Sequence, residues 1–260
     1  MTETPKPGIF ITGAASGIGR ATAELFAARG WFVGLYDVNL EGVEALQATL
    51  GADKAVAGRL DVSDSDAWHL ALKEFTQACH GRLDVLVNNA GILATGNFQD
   101  IPLATHHKIV DINLNGVLNG CHEAFPFLKA TPGARIINIA SASAIYGTPV
   151  FASYSSTKFA VRGLTEALNL EWQDHDIRVS DIMPIFVKTH MTADMHTKSS
   201  DKMGINLSPE DIAATVWKAA NRKGFSKVHW PVGAQTHQLM FAMRLLPTGV
   251  ARAILRKLSL

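Results

Sequence analysis

The sequence is poor in cysteine: Cys79 and Cys121 are its only two. Neither lies in a C-x-x-C pair, which argues against a structural zinc centre and suits two reduced thiols in a cytosolic chain. No apolar run approaches the roughly 18 to 20 residues that a membrane-spanning helix requires. The start, MTETPKPGIFITG, lacks a basic segment followed by a long apolar stretch, so no signal peptide is expected. A soluble, cytoplasmic protein is the expectation. An excess of charge is missing too: the net charge is +1, which gives no global case for nucleic acid. His106 and His107 have no partner at metal-ligand spacing and are expected at the surface or an interface, with no metal site.

One absence is local. After Asp211 there is no acidic residue, while Lys218, Arg222, Lys223, Lys227, Arg244, Arg252, Arg256 and Lys257 follow. The final stretch, HQLMFAMRLLPTGVARAILRKLSL (237–260), reads as two short helices broken near Pro247-Thr248-Gly249. In the second, Val250, Ile254 and Leu258 share one face and Arg252 and Arg256 another. Such a segment suits packing on the domain or a neighbouring subunit, or peripheral contact with an acidic membrane surface.

What is present is an apolar fraction of 47%, enough for one sizeable core and a single domain over 1–260. Short apolar runs alternate with helical patterns. Strands are expected over 8–12, 31–37, 54–62, 83–91 (strand, then turn), 134–141, 177–184 and 227–232. Helices are expected over 19–30, 39–51 (capped by Asn39), 63–81 (capped by Ser63), 103–130, 151–174 and 208–221. Strands apolar throughout, separated by amphipathic helices, imply an α/β fold. Its sheet is parallel, doubly wound and Rossmann-like, with seven strands and helices on both faces.

TGAASGIG places Gly13, Gly17 and Gly19 between the first strand and first helix. Glycines there allow a tight turn and close approach of a pyrophosphate, whose charge the helix start favours. Asp37 ends the second strand, 18 residues after Gly19. A carboxylate there can accept from both hydroxyls of an adenosine ribose and would repel a 2′-phosphate. The loop offers Ala14, Ala15 and Ser16, and Val38 follows Asp37, so no basic residue welcomes that phosphate. NAD is favoured over NADP.

YSSTK (154–158) puts Tyr154 and Lys158 on one helix face. A nearby ammonium lowers a tyrosine pKa from its reference of about 10 and could poise Tyr154 as a general acid or base. Together with TGAASGIG at 12–19, LDV at 60–62, NNAG at 88–91, Asn113 and Ser141, this stretch resembles the short-chain dehydrogenase/reductase family over roughly residues 8 to 232. The resemblance implies that Tyr154 is the catalytic acid/base, that Lys158 lowers its pKa and binds the nicotinamide ribose, and that Ser141 bonds the substrate oxygen. It implies that Asn113 holds a water linking Lys158 to solvent. The cofactor set it implies is Gly13, Ser16, Gly17, Ile18, Gly19, Asp37, Asp61, Val62, Asn89, Ala90, Gly91, Tyr154, Lys158, Val187 and Thr189. It also implies a homotetramer in which long helices pair between subunits. Ser143 competes for the serine role, two residues off the family spacing.

One position departs from the family: Pro184-Ile185 stands where Pro-Gly is usual. The turn is expected to survive, with Ile185 adding apolar bulk near the substrate. The stretch 188–207 corresponds to the family's substrate lid and carries Met191, Met195 and Met203, with His190 and His196 in reach of a substrate. The expected activity is hydride transfer between NAD and an apolar secondary alcohol or ketone of steroid, retinoid or acyl type. The alternatives are an NADP-dependent carbonyl reductase, and a non-catalytic cofactor-binding or membrane-docking protein.

Overall fold

The computed structural model describes residues 6–193 and 197–259. Among them, seven strands form one parallel sheet in the order β3-β2-β1-β4-β5-β6-β7. The strands are β1 (Gly8–Thr12), β2 (Phe32–Asp37), β3 (Ala55–Arg59), β4 (Val85–Asn88), β5 (Arg135–Ile139), β6 (Arg178–Met183) and β7 (His229–Pro231). The helices in chain order are α1 (Gly17–Ala28), α2 (Leu40–Leu50), α3 (Ser65–Ala78), α4 (Leu103–Val110), α5 (Gly116–Lys129), α6 (Ala152–Glu171), α7 (Lys198–Met203), α8 (Pro209–Ala220), α9 (Ala234–Leu245) and α10 (Thr248–Ser259).

The strands are apolar throughout because both sheet faces are covered. Ile9 and Ile11 of β1 enter one core with Phe26 of α1, Leu46 of α2 and Val216 of α8. Phe10 between them enters the opposite core with α3, α5 and α6. There it stacks on Tyr36 at 4.2 Å and meets Phe75 edge-on at 5.5 Å. Winding reverses between β1 and β4, and such a switch point opens a crevice at the carboxyl ends of the strands. Cys79 and Cys121 are free and buried, and burial pushes their thiols up to about 11 and about 12.

Local signals held at Asn39, whose side chain accepts from Gly42 N. At α3 the cap is Asp64 rather than Ser63: Asp64 accepts from the N–H groups of Asp66 and Ala67, while Ser63 bonds back to Asp61. A carboxylate can take both of the helix-start donors that a hydroxyl would have to share. The helix expected over 103–130 is also interrupted. A π turn, Asp111–Asn115, separates α4 from α5.

The stretch 188–207 leaves and returns at one point. Val187 bridges to Leu207, and Lys188 N donates to Leu207 O at 2.8 Å. It contains a 3₁₀ turn (His190–Thr192) and α7. Met195 and His196 lie outside the described residues, as does the Met203 side chain. Two helices do form the tail, with the break at Leu246-Pro247. Helix α10 packs on α7, burying Ala251, and Lys202 donates to the Lys257 carbonyl. Val250 and Ile254 face outward; the Leu258 side chain is outside the described set. No described helix is long and apolar enough to cross a membrane.

Candidate active site

A cavity of about 350 Å³ opens at the carboxyl ends of the central strands. Its floor is the β1–α1 turn. Gly13 and Gly17 adopt φ of +66° and +52°, which side-chain-bearing residues resist. A Cβ on Gly19 would sit 2.1 Å from Gly13 O, so glycine there lets helix and turn touch. Ser16 precedes α1 in extended conformation and makes no side-chain cap. The first N–H groups of α1 therefore remain available to an anion.

The β4 loop is stitched to this turn. Thr12 Oγ1 accepts from the backbone N–H groups of Asn89 (3.0 Å) and Ala90 (3.1 Å). Asn89 Nδ2 returns bonds to the carbonyls of Thr12 (2.8 Å) and Gly13 (3.1 Å). Asp37 stands at one end, one oxygen accepting from Ala15 N and the other from Asn39 N, both at 3.0 Å. Two such bonds leave lone pairs on each oxygen for a ribose diol. No cation stands beside it in sequence: Val38 is 57% exposed there. Asp61 bonds Ser63 through its side chain and backbone, which holds its carboxyl below the usual value.

At the other end, β5 runs into Ser141, which is buried and extended. Ser141 Oγ accepts from Ser143 N at 3.1 Å. Tyr154 and Lys158 stand one turn apart on α6, as the i, i+4 spacing requires. Lys158 is buried, donates to Ile139 O at 2.7 Å, and holds its Nζ 5.5 Å from the centre of the Tyr154 ring.

The expected lowering of the Tyr154 pKa is corrected by the structure. Burial raises it above the usual tyrosine value, and the Ser141 hydroxyl only partly offsets this. Burial also pushes Lys158 down to about 8. The ammonium lies over the ring and spends one N–H on a carbonyl, so desolvation wins over attraction in the protein by itself.

Of the expected residues, Gly13, Ser16, Gly17, Ile18, Asp37, Asp61, Val62, Asn89, Ala90, Gly91, Ser141, Tyr154, Lys158, Val187 and Thr189 all line this one cavity. Gly19 and Asn113 do not. Gly19 acts through packing, as above. Asn113 is fully buried in the π turn, where its amide accepts from Ile92 N (2.8 Å) and donates to Ile92 O (2.9 Å). It thereby fixes a wall residue, since Ile92 lines the cavity.

Ile185 lines the cavity at ordinary φ, so the turn tolerates isoleucine without left-handed backbone. Tyr146, Phe151 and Phe186 also line it; sequence reasoning did not single them out. Tyr146 and Phe151 flank YSSTK upstream, a proximity that could have flagged them. His107 is exposed as expected, but His106 is buried. Its Nε2 donates to Phe98 O at 3.0 Å, leaving Nδ1 to accept from the Ser153 hydroxyl at 2.6 Å. That bond ties α4 to the first turn of α6, beside Tyr154. Among the described residues no cluster of His, Cys, Asp or Glu could hold a metal ion.

A sequence model described as short chain dehydrogenase matches residues 8–200. A cyclohexanol dehydrogenase from Acinetobacter sp. (strain SE19) is 33% identical over 212 residues, covering 79% of this chain and 84% of that protein. A 3-alpha-(or 20-beta)-hydroxysteroid dehydrogenase from Mycobacterium tuberculosis is 40% identical over 182 residues, covering 70% and 69%. Among solved structures, the 3-ketoacyl-(acyl-carrier-protein) reductase from Brucella melitensis, complexed with NADH, superposes with a TM-score of 0.81. It is 29% identical and covers 88% of this chain and 98% of its own. With the glycine turn, the serine, the tyrosine and the lysine gathered on one parallel sheet, the chain belongs to the short-chain dehydrogenase family and to the oxidoreductases.

Proposed function

We propose that this protein oxidises a secondary alcohol to a ketone, reversibly, with NAD as hydride acceptor. One observation carries the reading: Ser141, Tyr154 and Lys158 converge in a cavity whose far end is the glycine turn and Asp37. The dinucleotide fits the residues present. The uncapped start of α1 suits its pyrophosphate, and Asp37 keeps free lone pairs for the ribose. When bound, the cofactor supplies the hydride chemistry. Ser141 donates to the substrate oxygen. Tyr154 takes the alcohol proton in oxidation and returns it in reduction. Lys158 holds positive charge beside the ring, with N–H groups left for the nicotinamide ribose. We assign Asn113 the support of this wall through Ile92, and of a water between Lys158 and solvent.

Support for NAD is the carboxylate of Asp37 with exposed Val38 next to it, and the NADH complex of the Brucella relative. Support for an apolar substrate is the presence of Ile92, Ile185, Phe186 and Met191 in the cavity lining. The two named relatives act, by their names, on cyclohexanol and on hydroxysteroids. Support for association through the long helices is the exposure of Leu118 on α5 and of Phe159 and Leu170 on α6.

The test is titration with NAD and NADP of the wild type and of Asp37→Ala. Tight NAD binding, weak NADP binding and a gap narrowed by the substitution are expected. Equal affinities in the wild type would assign the protein to NADP-dependent carbonyl reduction. Absence of both would favour a non-catalytic role.

A further inference from the structure

We propose that Ser143 and Tyr146 form a second oxygen-recognition point beside the catalytic serine. The substrate would then carry a second hydroxyl or carbonyl oxygen near the carbon that reacts. This rests on the dehydrogenase reading and narrows its substrate class to diols, hydroxyketones and related molecules.

The two residues lie three apart in one short connection. After Ser141 the chain makes a 3₁₀ turn, Ala142–Ala144. Ser143 lies within that turn and Tyr146 follows its end by two residues. Both line the cavity shared by Ser141 and Tyr154.

Tyr146 is the stronger observation. It is 8% exposed, and its phenol makes no hydrogen bond with any described residue. The oxygen is not sealed in the wall either. The enclosed, partnerless side-chain atoms among the described residues are Asn88 Oδ1, Asp181 Oδ1 and Ser199 Oγ. The Tyr146 hydroxyl is therefore accessible, on a residue that lines the cavity. A ligand that fills the cavity displaces water from this hydroxyl, and leaving it unpaired then costs roughly 1–3 kcal/mol, so a ligand that offers it a partner is favoured.

Ser143 can donate into the cavity when Thr148 donates to it. Thr148 Oγ1 lies 3.3 Å from Ser143 Oγ, closer than its 3.5 Å to the Tyr146 carbonyl. With Thr148 donating, the Ser143 proton is left for the cavity. Thr148 N in turn donates to Ser155 Oγ at 3.1 Å, and Ser155 follows Tyr154 on α6. The second point is thus held at a set distance from the acid/base. A substrate with a single oxygen engages Ser141 and Tyr154 with it. Against the neighbouring Ile92, Phe151 and Phe186 it would leave two more hydroxyls unmet.

The probes are cyclohexanol and trans-1,2-cyclohexanediol, each with NAD. Their kcat/KM values are measured for the wild type, Tyr146→Phe and Ser143→Ala. The wild type is expected to favour the diol at least about tenfold, and Tyr146→Phe to lower that ratio about tenfold, the worth of one neutral hydrogen bond. Ser143→Ala lowers it several-fold. Because both substrates share one active fraction, a partly misfolded variant leaves the ratio unmoved. Turnover of cyclohexanol with no diol preference, or a ratio unchanged in both variants, overturns the inference and leaves the dehydrogenase reading standing. No NAD reduction with either probe removes both.

Discussion

The two ends of the cavity are built from different materials. The dinucleotide end is backbone: Gly13 and Gly19 packed against the β4 loop and Gly17 beside Thr189, with Thr12 and Asn89 closing five bonds between them across β1 and β4. The end beside Tyr154 is side chains on connections, drawn from 141–151, 184–187 and 189–192. A ligand gripped by backbone needs particular φ angles and close approaches, and those demand particular residue types. A ligand gripped by side chains needs only shape and a few polar groups, which many residue types can supply.

Substitutions can break that contrast in order of effect. The largest expected loss is Tyr154→Phe, which should lower kcat by 10² to 10⁴ while NAD affinity stays within about threefold. Stopped-flow turnover and calorimetric titration of the same sample would show the split. Next, Gly19→Ala places a Cβ 2.1 Å from Gly13 O. We expect NAD affinity to fall more than about tenfold, together with a lower melting temperature. At the opposite end, Ile185→Ala should leave NAD affinity unchanged and shift only substrate KM, by several-fold.

Lys158 offers a pH-dependent case. Its folded-state pKa is pushed down to about 8, so the unfolded chain binds more protons between there and the usual lysine value of about 10.4. Stability of the cofactor-free protein should therefore rise with pH across that window, while below it the burial penalty is present in full. Lys158→Met should raise the melting temperature at pH 7, with a gain that shrinks toward pH 10, while turnover collapses. A gain independent of pH would contradict burial as the cause. The smallest effect concerns the tail. Phe241, Leu245, Val250 and Ile254 are exposed among Arg244, Arg252, Arg256 and Lys257, a combination that suits an anionic lipid surface. Sedimentation with acidic liposomes should carry down the full chain more than a chain ending at residue 236; equal pelleting would remove this contact.

Legibility followed the same division. The strand alternation, the glycine turn and Asp37 were readable because each is a local pattern tied to backbone geometry, whereas the Tyr154–Lys158 pair took its meaning from the family resemblance. The π turn at Asn113 was not, since a single inserted residue hardly alters an apolar helical pattern. Burial of His106 and the raised Tyr154 pKa depend on which elements cover them, a property of the assembled fold. Burial of Tyr146 is likewise a property of the assembled fold; only its nearness to YSSTK could have flagged it.

The most direct measurement is absorbance of reduced cofactor on mixing the protein with NAD and a panel of cyclic secondary alcohols, run beside Tyr154→Phe. Reduction by the wild type, lost in a variant that still binds NAD, is the expected result. Equal turnover by Tyr154→Phe would contradict the role given to YSSTK, and would move the acid/base elsewhere in the cavity.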